Sequence, residues 1–415
     1  MLIYQLLLRL ASPFIFLRLL KFSRSYSHYS IAKVLGFNKH QVQADIWVHC
    51  ASVGEVLAAR PLINTWLGNN PKGAVLITTM TPTGAEQVFK GFDQRVQHRY
   101  IPVDWGGSVK RFLQGIECPT LLIIETELWP NLLKQVKNKG MSLSIVNARL
   151  SERSFRKYAK FPNFSKKLVS LPDRFCAHAQ ADAERLTALG ANQVSVTGNI
   201  KFDLKVNPQV LTDNWQQYFL KNEFVWIAAS THEGEDVPLL EEHLILKAQH
   251  PSSVLILVPR HPQRFEQVYQ QACAKFKNVG LRSETSMEDW SSLDVLIGDS
   301  MGEMMHYFQA ADLAFVGGSL IERGGHNPIE PALLSKPVLV GAHTFNFNEI
   351  TENLVLSGGG LRCQNAELVG NLLLAFAKDK TLVLETGTAA YEYALSNQGA
   401  VNRVLSSIQS SNKVS

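Results

Sequence analysis

From residue 46 onward, apolar runs of four or five residues alternate with longer stretches whose apolar positions recur every three or four. The short runs read as strands buried on both faces. The longer stretches read as amphipathic helices that cover them, the pattern of a parallel sheet. Strands are expected at 46–49, 74–78, 98–101, 120–124, 144–147, 174–177 and 193–196, with helices at 55–67, 84–89, 109–114 and 181–189. The segment DLKVNPQVLTDNWQQYFLKNE (203–223) is polar, breaks the alternation and reads as a connection. A second series then gives strands at 225–228, 253–258, 294–297, 313–316 and 337–340, and helices at 236–249, 263–275 and 302–310. A last helix over 387–409 is expected to cross back to the first domain. The fold class is therefore α/β: two doubly wound domains facing a cleft, residues 25–204 and 224–395, joined by 205–223 and followed by 396–415.

The first 24 residues follow a different rule. MLIYQLLLRLASPFIFLRLLKF is about as long as a bilayer span, but Arg9 and Arg18 interrupt it and no small-residue cleavage site follows. It reads as a membrane anchor, spanning or lying in the interface, with a buried helix and a signal peptide as alternatives. Lys21 and Arg24 put the folded body on the cytoplasmic side, at the inner membrane. The net charge of +5 gathers here: residues 1–44 hold six basic residues and no acid, leaving 35 basic against 36 acidic elsewhere. So local a surplus speaks against nucleic acid as a partner. Five scattered cysteines, none as CxxC, exclude a disulfide framework or a zinc site.

The unusual residues fall just after strands, where open α/β sheets bind ligands. HCASVGE (49–55) puts Glu55 at the mouth of a helix. Ser52 and Glu55 equally fit a capping box, so local spacing leaves capping and chemistry both open. TTMTPTG (78–84) offers hydroxyls to an anion or sugar, or is an ordinary capped turn. In ETELWPN (125–131), Glu125 and Glu127 would share one side of an extended chain. VPRHPQRF (258–265) sets Arg260 and His261 at a strand tip, suited to phosphate. GDSMGE (298–303) opens another helix, whose first N–H groups suit a phosphate or base edge. In VGGSLIERGGHNPIEP, four glycines permit close backbone approach to a ligand. Asn327, Pro328, Ile329 and Glu330 then start a helix, with Glu330 a candidate for the nucleotide ribose and capping as the plain alternative. No G-x-G-x-x-G follows a strand and no GxxxxGK[ST] occurs, which disfavours dinucleotide binding and P-loop hydrolysis. No Asp-x-Asp pair occurs either, so no metal is expected, and Arg260, His261 and backbone N–H groups would face the phosphate.

Taken in order, HCASVGE, TELWPN, GNIKFD (198–203), VPRHPQRF and GGHNPIEP resemble the 3-deoxy-D-manno-octulosonic acid (Kdo) transferases of lipopolysaccharide synthesis, over nearly the whole chain. The resemblance implies a metal-independent inverting glycosyltransferase of the glycosyltransferase-B fold. It needs no cofactor, takes CMP-Kdo as donor and a lipid A precursor (lipid IVA) as acceptor. It implies Glu55 as general base and Glu127 and Lys201 as groups stabilising the transition state. Arg260, His261, Met301, Gly302, Glu303, Asn327, Pro328, Ile329 and Glu330 become the CMP contacts. Physically, a helix N-terminus would keep Glu55 ionised and ready to take a hydroxyl proton. The competing readings are another sugar-nucleotide transferase or 2-epimerase of the same fold, and a non-catalytic membrane-bound binding module.

Overall fold

The computed structural model describes residues 2–38 and 40–409 of the chain. They form two compact units. The first comprises residues 1–203 and 398–415, the second 204–397.

The first unit is built on seven parallel strands: β1 (Ile46–His49), β2 (Val75–Thr79), β3 (Val96–Tyr100), β4 (Thr120–Ile124), β5 (Ser142–Ala148), β6 (Arg174–Ala177) and β7 (Val194–Val196). Their order is β3-β2-β1-β4-β5-β6-β7. The chain winds outward from β1 to β3, then starts again at β4 on the other side. The switch point lies between β1 and β4. Successive residues of β1 serve opposite cores, as the two-residue period of a strand requires. Trp47 packs among Phe112, Leu121 and Leu143, whereas Ile46 and Val48 pack with Leu62, Ile63 and Leu122. At roughly 1.5–3 kcal/mol for each large side chain buried, these two layers supply the main force holding the sheet.

The second unit repeats the plan with β8 (Val225–Thr231), β9 (Val254–Pro259), β10 (Val279–Leu281), β11 (Val295–Ile297), β12 (Leu313–Val316), β13 (Val338–Val340) and β14 (Gly360–Arg362), in the order β10-β11-β9-β8-β12-β13-β14. Here the winding reverses between β8 and β12. The three-residue edge strands β10 and β14 escape the sequence pattern, because each contains a glycine and neither forms an apolar run. Residues 203–223 are more than a connection. They fold into a Pro208–Asp213 helix and a Trp215–Phe219 turn, and Trp215 packs edge-on against Trp290 at 5.2 Å. The buried aromatics anchor this polar stretch to the second unit.

The helix expected at 387–409 is two helices, Lys380–Ser396 and Ala400–Gln409, separated at Gly399, whose φ of +91° no helix accommodates. The last belongs to the first unit. Val401, Val404, Leu405 and Ile408 line one face and fill the core beside Ile46, Val48 and Leu62. The Asp203 carboxylate accepts the N–H groups of Gly399 and Val401 and so caps this helix.

The N-terminal helix runs Leu2–Ser25. Its second half packs through Leu19 and Phe22 on Tyr29, Val34 and Tyr100. Near its start, the Tyr4 hydroxyl donates to Asp104 at 2.8 Å, and Asp104 also accepts the N–H groups of Asn131 and Leu132. Leu6, Leu10, Phe14 and Leu17 follow helical spacing and stand exposed, Phe14 at 77%. Among the described residues no helix is long and apolar enough to cross a membrane.

Candidate functional site

At the first unit's switch point, β1 ends at His49 and the chain turns through Cys50 and Ala51 into the Val53–Asn69 helix. Ser52 caps the helix, and Glu55 reaches back one residue beyond the usual capping-box partner. Ser52 Oγ accepts the Glu55 N–H at 3.4 Å and donates to Glu55 Oε1 at 2.9 Å, while Glu55 Oε2 accepts the Ala51 N–H at 2.7 Å. Capping, however, does not exhaust the role of Glu55. Only 7% of the residue is exposed, and loss of water pushes its pKa up to about 7 against the opposing Ala51 hydrogen bond; repulsion from Glu125 and Glu127 adds to the rise. This corrects the expectation that the helix terminus keeps Glu55 fully ionised: burial and two neighbouring carboxylates outweigh the helix dipole.

Those carboxylates come from the loop after β4, across the switch point. The chain there is not extended. Glu125 adopts φ +62°, a left-handed conformation costly for a residue with a Cβ, and donates its N–H to Val146 at 2.8 Å. Glu125 and Glu127 thereby acquire different partners: Glu125 Oε1 lies 3.7 Å from Lys201 Nζ, and Glu127 accepts the Trp129 indole N–H at 2.8 Å. Asn147, at the end of β5, is the second left-handed residue (φ +56°). Its Oδ1 accepts the Ile200 N–H, seating the Ile200–Asp203 turn that carries Lys201. Glu55, Glu125, Glu127 and Lys201 thus converge at the carboxyl end of the sheet, around its switch point. Strained non-glycine residues concentrate where function demands a particular geometry; Asn147, first residue of the Asn147-Ala148-Arg149 stretch at this strand end, is of that kind. Of the four TTMTPTG hydroxyls, Thr83 is exposed and the other three turn inward. Thr78 accepts from Trp47, Thr79 meets His98 at 2.9 Å, and Thr81 caps the next helix by accepting the Gly84 N–H. These three are engaged in holding the turn rather than offered to a ligand.

The second unit's switch point brings the loop after β8 against the one after β12. Ser230, at the end of β8, is left-handed (φ +57°), and a Cβ on Gly317 would stand 2.6 Å from its carbonyl oxygen. Glu235, also overlooked in the sequence, organises the loop. It is fully buried, and its carboxylate accepts four N–H groups, from His232, Gly318, Ser319 and Leu320, at 2.7–3.0 Å. Burial nevertheless raises its pKa, those four bonds opposing the rise. The only sequence signal was a carboxylate three residues beyond His232 in STHEGED.

Arg260 follows β9, its N–H bonded to Thr231 O and its side chain exposed. Arg264 is held by Asp236 and Thr231 O, an internal brace. The His261 ring meets His232 edge-on at 5.3 Å, and His232 Nε2 lies 2.9 Å from His326 Nε2. Asn327 accepts the Ile329 N–H and donates to Glu330 Oε1 at 3.2 Å, but it stands one residue before the expected cap position, which Pro328 takes. The short helix there starts at Ile329, with Pro328 just before it. Desolvation raises the Glu330 pKa, while the Asn327 hydrogen bond and the charge of Arg260 pull it down. Met301 and Gly302 form an exposed tip, Gly302 at φ +91° with open space where a Cβ would lie. Glu303 is tied to Arg282 at 3.1 Å and to the Ser300 hydroxyl. The following helix begins only at Met304, so the expected start at 302 is two residues early. Among the described residues no three His, Cys, Asp or Glu side chains are arranged to hold a metal ion.

Two doubly wound parallel sheets, each with polar groups at its switch point, define the class. The chain has the glycosyltransferase-B type of fold. The UDP-GlcNAc 2-epimerase from Neisseria meningitidis, solved bound to UDP-GlcNAc, superposes over 89% of this chain and 100% of its own with a TM-score of 0.59 at 14% identity. A glycosyltransferase from Rickettsia africae covers 91% of this chain and 100% of its own at a TM-score of 0.53 and 13% identity. At such identities the likeness concerns fold alone. Sequence is more specific. Residues 27–204 match the family model described as 3-Deoxy-D-manno-octulosonic-acid transferase (kdotransferase). The 3-deoxy-D-manno-octulosonic acid transferase of Haemophilus influenzae is 39% identical over 365 residues, 87% of this chain and 85% of that protein. The Bordetella pertussis transferase of the same description is 34% identical over 374 residues, 88% of this chain and 87% of that protein. The chain belongs to the 3-deoxy-D-manno-octulosonic acid transferase family.

Proposed function

We propose that this protein transfers Kdo from CMP-Kdo to a hydroxyl of a lipid A precursor, lipid IVA, in lipopolysaccharide biosynthesis, with inversion at the sugar carbon. The observation that carries the reading is Glu55, a carboxylate at a switch point whose pKa of about 7 suits a general base at neutral pH. In its ionised form Glu55 takes the acceptor hydroxyl proton as the new C–O bond forms. The bond to the phosphate oxygen breaks, and its electron pair departs with CMP. Positive charge develops on the sugar as in other glycosyl transfers, and the carboxylates of Glu125 and Glu127 supply compensating negative charge. Lys201 is the cation for the sugar's own carboxylate, exchanging its 3.7 Å pairing with Glu125 for the substrate. In the second unit Arg260 and His261 receive the phosphate. Met301, Gly302 and Glu303 and the Asn327–Glu330 turn contact the nucleoside, Glu330 at the ribose. The reaction is assigned to these side chains without a metal or cofactor.

The exposed Leu6, Leu10, Phe14 and Leu17, with Arg9, Arg18, Lys21 and Arg24 on the same helix, favour a helix lying in the inner-membrane interface on the cytoplasmic face. There it would meet an acceptor whose acyl chains stay in the bilayer.

The test is direct. The purified chain is incubated with CMP-Kdo and a tetraacylated lipid A precursor, and the product is weighed by mass spectrometry alongside Glu55→Gln. A mass gain of Kdo with wild type, and its loss at retained CMP binding with the variant, supports the reading. Transfer at the wild-type rate by the variant overturns the role of Glu55, and no mass gain with wild type overturns the function.

A further inference from the structure

His232 and His326 sit on the two loops that meet at the second unit's switch point, and their arrangement is specific. The rings are parallel to within 1°, their centroids are 5.1 Å apart, and the Nε2 atoms approach to 2.9 Å. Two imidazoles meet nitrogen to nitrogen at that distance only by sharing a proton, one ring donating and the other accepting. The fold invests in the contact. A Cβ on Gly318 would lie 3.2 Å from the His326 ring and 3.4 Å from that of His232, so a side chain there would press on both. Gly318 also holds φ +69°. Glu235 fixes the loops from below by accepting the N–H groups of His232 and Gly318.

We propose that His232 and His326 act as one proton-sharing pair that takes up a single proton when the nucleotide phosphate docks beside Arg260. The pair then presents positive charge to the phosphate as CMP departs. This rests on the donor-site reading given above and adds to it a role for two residues outside the motif contacts. The proton comes from solvent on binding and returns to solvent when CMP leaves, so the balance of the transfer reaction is untouched.

The surroundings explain why the pair is empty of charge beforehand. Desolvation chiefly holds the His232 pKa down at about 4, and His261, Arg323, Arg264 and Arg260 add repulsion. His326 is lowered to about 3 by desolvation, Arg260 and its two histidine neighbours. The charges facing the pair are therefore Arg260, His261 and Arg264 after β9 and Arg323 after β12, with Glu235 after β8 already committed to four N–H groups. Every mobile contribution is positive. An anion reverses that balance. At ~4 Å and an effective dielectric constant of about 20, one negative charge shifts a protonation equilibrium by roughly a thousandfold, which brings an acid-range histidine to titrate near neutral pH. A phosphate monoester carries nearly two such charges at pH 7.

The experiment is calorimetric titration of the full chain with CMP at pH 7 in two buffers of different ionisation enthalpy, whose difference counts protons. Wild type is expected to take up between about 0.3 and 1 proton per CMP bound. Any proton released by CMP itself on meeting arginines has the opposite sign. His326→Asn and His232→Asn are each expected to abolish the uptake and weaken CMP binding roughly tenfold, whereas His261→Asn keeps the uptake. Binding by wild type with no uptake, or uptake unchanged in both variants, overturns the proposal while leaving the donor site standing. Absence of CMP binding to wild type overturns the donor reading and this proposal with it. Should either variant fail to fold, 15N-histidine spectra of wild type decide: two ring signals moving toward imidazolium on addition of CMP support the pair, and unmoved signals refute it.

Discussion

Replacing Glu55 by glutamine should make the first unit weaker in acid yet no weaker, or stronger, in mild alkali. Burial and the neighbouring carboxylates lift the folded-state pKa to about 7, above the ordinary glutamate range. A carboxyl group raised in this way costs nothing while both folded and unfolded chains are protonated. The cost grows as pH rises past the unfolded value and is complete once pH exceeds about 7. Its full size is about 3 kcal/mol. Glutamine never ionises and escapes that cost. Its NH2 group, however, brings two N–H donors where a protonated Glu55 has one, set against the Ala51 N–H or the Ser52 hydroxyl, and a buried donor left unmade costs roughly 1–3 kcal/mol. At pH 5 the second effect prevails and the variant is less stable; at pH 8 the two offset each other or the variant gains. The difference in Tm between variant and wild type should swing upward by roughly 5–10 °C from pH 5 to pH 8. Thermal unfolding followed by circular dichroism at several pH values measures it. Activity moves the other way, with transfer falling about 10²–10⁴-fold at every pH. A Tm difference independent of pH would show that Glu55 is an ordinary ionised cap, and the reasoning about its poise would fail.

Other expectations follow from the same geometry. Glu125→Gln removes the nearest repulsive charge, so the acid limb of the kcat/KM–pH profile should move to lower pH, whereas Lys201→Met should move it upward. Glu235→Ala leaves four buried N–H groups without an acceptor and should lower stability by several kcal/mol at pH 7, read by urea denaturation, with Glu235→Gln intermediate. Gly318→Ala meets both a positive φ and the histidine rings, so a loss of about 1–3 kcal/mol and weaker CMP binding by calorimetry are expected. Leu10→Glu with Phe14→Glu should abolish flotation with anionic vesicles while leaving the unfolding midpoint unchanged, because both side chains face solvent.

The sheet strands were legible wherever burial on both faces made them uniformly apolar. Ile46–His49, Thr120–Ile124, Arg174–Ala177 and Leu313–Val316 fall where the pattern puts them. The second unit's edge strands carry no such mark, each being three residues long and holding a glycine, which is why Val279–Leu281 and Gly360–Arg362 are silent in sequence. Trp215 and Phe219 lie inside a polar stretch, and only the presence of Trp290 opposite them reveals a core. The site divides along the same line. Glu55 announces itself by its place after a strand, but its poise depends on burial and then on Glu125 and Glu127, some 70 residues further on and turned by a left-handed backbone that no propensity foretells. Glu235 and the His232–His326 pair become visible only when two loops 84 to 94 residues apart are brought face to face.

The return of the Ala400–Gln409 helix sets an order of events during synthesis. Residues 204–397 leave the ribosome as a continuous stretch and can assemble at once. The earlier 200 residues must instead wait, with Ile46, Val48 and Leu62 lacking one wall of their core, until Val401, Val404, Leu405 and Ile408 emerge. The half of the protein made first is therefore the half finished last, and a ribosome that stops short of residue 400 releases a chain whose incompleteness is written on its surface as exposed apolar side chains.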